Sequence, residues 1–124
     1  MQPTRANILQ AFKWLMKDLV GGDKLFVYFS GHGGTLRDTT GRERGGMCQT
    51  ICPIDGPAIP DYVLYKMLVK PLPQNVTLHS LFDSCHSGTV MNLPFNARLT
   101  PSGVFVDWDR EYPNEKICAR VSTD

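Results

Sequence analysis

The chain has 124 residues, enough for one small domain. Thirteen basic against twelve acidic residues give a net charge of +1, which argues against a polybasic nucleic-acid or membrane-binding face. No apolar run approaches the ~20 residues that cross a bilayer. The start, Met1 to Arg5, lacks the apolar core and small-residue cleavage site of a secretory signal. These features predict a cytoplasmic or nuclear location, not a secreted one. There Cys48, Cys52, Cys85 and Cys118 stay reduced.

Residues 4–20 read as a helix. Ile8, Phe12, Leu15, Met16 and Leu19 recur at helical spacing, Thr4 can cap the start, and Gly21 and Gly22 can end it. Leu25 to Phe29 is a continuous apolar run, the pattern of a strand covered on both faces of a parallel sheet. Residues 31–60 are rich in Gly, Arg, Thr and Pro. They read as a long functional loop with one short strand near 49–54, leaving Cys48 and Cys52 in a loop or edge strand. Asp61 to Val69 reads as a helix capped by Asp61 and stopped by Pro71. Val76 to Phe82 is a second strand with His79 in its middle, and one more short strand is expected at Val104 to Trp108.

Strand, crossover and strand again predict an α/β fold with a parallel sheet. Ligands of such sheets bind beyond the carboxyl ends of the strands. Two motifs lie there: Ser30-Gly31-His32-Gly33-Gly34 after the first strand, and Asp83-Ser84-Cys85-His86-Ser87-Gly88 after the second. If the strands are neighbours, ~4.8 Å apart, His32 and Cys85 come together although 53 positions separate them. That interval agrees with the ~50 residues between base and nucleophile of caspase-type proteases.

An imidazole beside a thiol makes the thiol a usable nucleophile. His32 would take the thiol proton and return it to the leaving amine. The N–H groups of Gly33 and Cys85 would form the oxyanion hole. Asp83, two positions before Cys85, would share its face and favour a basic substrate side chain. Taken singly, a strand-end cysteine is usually a small buried hydrophobe, a histidine in a glycine-rich loop usually structural, and Asp83 could simply cap its turn. Together the two motifs favour catalysis. A zinc site built from Cys48, Cys52, Cys85 and His79 or His86 lacks the paired spacing of structural zinc knuckles.

Pro3-Thr4-Arg5-Ala6-Asn7-Ile8-Leu9, the SGHGG and DSCHSGT motifs, and Val69-Lys70-Pro71-Leu72 make residues 3 to 95 resemble the large-subunit region of a metacaspase. The resemblance implies a caspase-like three-layer α/β/α fold with a mainly parallel sheet, incomplete in this chain. A catalytic domain would span 1–97, with a divergent tail over 98–124. It implies a cysteine endopeptidase that hydrolyses peptides and proteins after Arg or Lys. His32 would be the base, Cys85 the nucleophile, and Ser30 and Asp83 part of the basic-residue pocket. The family places a further strand and helix before residue 3, including another contributor to that pocket, and a small-subunit-like region after this segment. A degenerate relative that keeps the dyad and acts as a binding or regulatory module is the competing expectation.

The resemblance also implies activation by Ca2+ through acidic ligands. At the matching positions this chain has Gly45, Asp61, Tyr62 and Asn92, so only Asp61 still offers a carboxylate. Arg42 and Arg44 add positive charge, and Glu43, Asp38 or Asp55 could compensate only if the loop refolds. No cofactor requirement is therefore expected, and Ca2+ is expected neither to bind nor to activate.

Overall fold

The computed structural model describes residues 1–39, 46–85, 90–93 and 95–108. The first helix, α1, covers Arg5–Leu15. Thr4 caps it as expected: its hydroxyl accepts from the Asn7 N–H at 3.2 Å, satisfying a donor that the first turn leaves unpaired. The helix stops five residues short of the predicted end. Asp18 enters the left-handed region (φ 54°), and the Val20 N–H donates to the Asp23 carboxylate at 2.9 Å, so local hydrogen bonds form a loop where periodicity suggested another turn.

β1 (Lys24–Ser30) pairs in parallel with a later strand, Thr77–Asp83. Their starts are aligned by the Thr77 N–H, which donates to the Asp23 carbonyl at 3.0 Å. Both predicted strands are thus present and are neighbours. The expected cover on both faces is not observed. Leu25, Val27 and Phe29 are partly buried, while Phe26 and Tyr28 lie open with Leu81 beside them, at 64%, 57% and 54% exposure. Only one face of this sheet packs against described residues.

The segment read as a long loop instead holds an antiparallel sheet of three strands: β2 (Gly33–Arg37), β3 (Met47–Ile51) and β4 (Ile59–Pro60), with β3 in the centre. Cys48 is consequently a buried residue of a central strand, not of a loop or edge. Glycines at 33 and 34 hid β2 from a reading based on propensity. Residues 40–45, which join β2 to β3, lie outside the described residues together with the expectations made for Arg42, Glu43, Arg44 and Gly45.

α2 (Asp61–Leu64) continues into a π-helical turn over Tyr65–Val69, closed by the Lys70 N–H donating to the Tyr65 carbonyl at 2.9 Å. The wider turn buries Leu64, Leu68 and Val69 together. Asp61 is not the cap that sequence suggested: Pro60 holds that position. The core joins Phe12 of α1 to Ile51, Ile59, Leu64, Leu68, Val69, Val90 and Met91, with Val27, Phe29, Leu78 and Phe82 packed against it from the parallel sheet. β5 is Thr77–Asp83; β6 (Phe95–Thr100) and β7 (Gly103–Trp108) form an antiparallel hairpin. The expected 104–108 strand is β7, and the boundary expected between 97 and 98 falls inside β6. No helix among the described residues is long and apolar enough to cross a membrane.

Candidate active site

The parallel register is Phe29↔Phe82 and Ser30↔Asp83. His32 and Cys85 therefore each stand two residues past the last paired position of adjacent strands. The phenyl rings of Phe29 and Phe82, 6.3 Å apart between centroids, pack just beneath. The Gly31 N–H donates to the Asp83 carbonyl at 3.4 Å, which carries the pairing one step beyond the strands. Paired residues of a parallel sheet share a face, so Ser30 and Asp83 lie side by side on its open face.

His32 is held from its other side. The Cys52 N–H donates to the His32 carbonyl at 2.9 Å, just beyond the Gly33↔Ile51 pair. In an antiparallel ladder this makes Gly33↔Ile51 a non-hydrogen-bonded pair, so the Gly33 N–H points away from β3. The face of Gly33 on which a side chain would stand meets the nucleophile motif. A Cβ there would overlap the Cys85 carbonyl oxygen and lie 3.1 Å from its carbon and 3.2 Å from Ser84 Oγ. His32 and Cys85 are both exposed at this surface. The structure thus brings together His32, Gly33, Cys85, Ser30 and Asp83. His86 lies outside the described residues.

Two supports had no signal in the sequence. Sequence shows Cys52 only as a loop or edge cysteine, yet its backbone anchors His32. The Ser84 hydroxyl, next to the candidate nucleophile, is buried against Gly33 without a hydrogen-bond partner. Neither position shows in periodicity, because a ladder partner or a close backbone approach is a property of register.

A sequence model described as the metacaspase, peptidase C14 domain matches residues 1–94. The chain belongs to the metacaspase family. It is 50% identical over 97 residues to Metacaspase-1 of Saccharomyces cerevisiae, covering 75% of this chain and 22% of that protein. Against Metacaspase-1 of Arabidopsis thaliana the identity is 40% over 118 residues, covering 93% of this chain and 32% of that one. The metacaspase segment thus spans between 22% and 32% of the length of these relatives. A crystal structure of a Geobacter sulfurreducens protein matches it at 35% identity with a TM-score of 0.59, over 76% of this chain and 37% of that chain. Family and topology agree on an incomplete caspase-like α/β fold.

The calcium that a metacaspase implies is not matched by the side chains present. Asp61 is almost fully buried, at 1% exposure, and its Oδ2 accepts from the Gln49 N–H at 3.0 Å. Burial pushes its carboxyl above the ordinary value; hydrogen bonds from the Gln49 N–H, the Asn92 side chain and the Tyr62 N–H act the other way, and Asp38 adds a smaller upward push. Asp61 Oδ1 and Asn92 Oδ1 are buried acceptors without partners. One carboxylate and one neutral amide oxygen fall far short of the six to eight oxygens, several of them charged, that Ca2+ takes. Tyr62, at the second acid position, points a phenol partly into solvent. Among the described residues no three His, Cys, Asp or Glu side chains are grouped to hold a metal.

Proposed function

We propose that this metacaspase segment carries the catalytic centre of a cysteine endopeptidase, with Cys85 as nucleophile and His32 as its base. The observation that carries the reading is the Ser30↔Asp83 register, which sets the two motifs at neighbouring carboxyl ends of one parallel sheet. His32 takes the proton from the Cys85 thiol, and Sγ bonds to the carbonyl carbon of the scissile peptide. As the tetrahedral intermediate collapses, the C–N bond breaks and His32 returns the proton to the departing amine. Water then hydrolyses the thioester and restores the thiol. The Gly33 N–H, directed away from β3, and the Cys85 N–H stabilise the oxyanion; one such donor is typically worth about 3 kcal/mol.

Ser30 and Asp83, adjacent and exposed, supply the floor of a pocket for Arg or Lys, where a fixed carboxylate can accept two parallel hydrogen bonds from a guanidinium. A reducing compartment such as the cytoplasm would keep the thiol available. The test is hydrolysis of a fluorogenic peptide with Arg at P1, by the chain and by Cys85→Ala. Cleavage that survives in Cys85→Ala refutes the assignment.

A second reading, a binding or regulatory module without turnover, has one observation in its favour. The chain spans no more than about a third of its curated relatives. It is distinguished by saturable binding of an Arg peptide with no product formed.

A further inference from the structure

Asp61 ties three parts of the fold together. Its Oδ2 accepts from the Gln49 N–H of β3 at 3.0 Å; the residue itself opens α2; and its carboxylate takes a hydrogen bond from the Asn92 side chain, in the segment that follows the nucleophile motif. A carboxylate has no proton to give, so Asn92 must donate through its amide nitrogen. Both residues are buried, at 1% and 3% exposure. A buried carboxylate needs either a counter-charge or hydrogen-bond donors. Among the described residues no cation acts on Asp61: N–H groups face it, and the other charge it feels is the carboxylate of Asp38.

We propose that Asn92 stands in for a cation, so that the junction of β3, α2 and the segment around residue 92 holds together with no divalent ion. An amide N–H aimed at the carboxylate puts a partial positive charge where a metal would sit. An ion can displace it only by breaking that hydrogen bond, and gains direct contact with the Asp61 carboxylate in return. Substituting a carboxylate for the amide reverses the situation. Asn92→Asp removes the donor and sets a second buried negative charge against Asp61, with Asp61 Oδ1 already unpartnered. Two such carboxylates cannot both stay ionised in a buried site without a counter-ion. One point mutation is thereby expected to create a cation requirement the chain now lacks. Residue 92 has φ 49°, in the left-handed region that Asn and Asp both tolerate, so the substitution adds charge without adding backbone strain.

The inference does not depend on catalysis, because its readout is thermal unfolding of the whole chain in EDTA and in about 5 mM CaCl2, where a ligand raises the midpoint by mass action. The native chain is expected to melt at the same temperature in both. Asn92→Asp is expected to melt lower in EDTA and to recover with calcium. Asn92→Gly, which loses the donor, adds no charge and suits the positive φ, is expected to melt lower in both. Calorimetric titration of the native chain with CaCl2 gives a second reading that needs no variant, and its expected result is no saturable heat. A calcium-dependent rise in the native midpoint, saturable binding, or an Asn92→Asp variant that calcium does not restore would each overturn the proposal.

Discussion

The backbone carbonyl of Cys85 fills the space in which a side chain at residue 33 would begin. The close approach joins the end of β5 to the start of β2 and fixes how the two candidate catalytic motifs face each other. It turns the glycine after His32 from a permissive loop residue into a geometric requirement. The neighbouring glycine is different: a Cβ on Gly34 would lie 3.4 Å from Thr50 Oγ1, at the edge of ordinary van der Waals contact.

The first prediction uses that contrast. Gly33→Ala must push the Cys85 backbone away, and overpacking of this kind typically costs about 1–3 kcal/mol. Displacing a nucleophile by about 1 Å can cost on the order of 100-fold in rate. Gly34→Ala should leave both melting midpoint and hydrolysis near the native values. Equal behaviour of the two variants, in melting and in peptide hydrolysis, would falsify the claim that the contact at Gly33 positions the site.

The second prediction concerns His32 and Cys85 as a unit. Members of a nucleophile–base pair are grossly non-additive. Cys85→Ala, His32→Ala and the double variant should therefore all lose hydrolysis to a similar extent. If instead the two losses multiply in the double variant, the residues act independently and the dyad is wrong.

How these residues meet was partly legible in the sequence. The two apolar runs were long enough to read as strands, and the motifs after them carried the chemistry, so the parallel pair and its carboxyl-end site could be expected. What sequence did not show was everything set by register. β2 begins with Gly33 and Gly34, which have little strand propensity; it exists because β3 offers a ladder partner. Asp61 preceded a helical run and so looked like a cap. Its carboxylate turns instead to the Gln49 N–H, twelve residues away in sequence. The open face of β1 is not legible in the sequence, because a continuous apolar run shows what a strand could bury, not what lies against it.

In the proposed function, specificity lies in the Ser30↔Asp83 pair. Asp83→Ala should abolish the preference for Arg and Lys at P1 over neutral residues and raise KM more than it lowers kcat, because the carboxylate holds the side chain and does not touch the reacting atoms. Comparing peptides with Arg, Lys, Asp and Ala at P1 decides it. A native preference for Asp, or unchanged discrimination in Asp83→Ala, would remove Asp83 from the pocket.

The last prediction is a pH dependence of stability centred on Asp61. Burial raises its carboxyl above the ordinary 3.8, so the folded chain holds this proton more tightly than the unfolded chain does. Between the two values the native state binds more protons, and stability must fall as pH rises through that window, then level off above the folded value. This sign is opposite to that of an ion-paired carboxylate, which gains stability as pH rises toward the ordinary value and changes no further above it. Other carboxylates titrate nearby, so the signature is the difference between the native chain and Asp61→Asn. The variant keeps an oxygen for the Gln49 N–H and gains an N–H that can turn toward the unpartnered Asn92 Oδ1. Relative to Asp61→Asn, the native chain should lose stability from about pH 4 upward and then run parallel to it. Chemical unfolding measured across that range checks this. A difference independent of pH would mean that the Asp61 carboxyl is not perturbed by its burial, and a difference that instead grows with pH only below about 4 would mean that it is held by a positive charge.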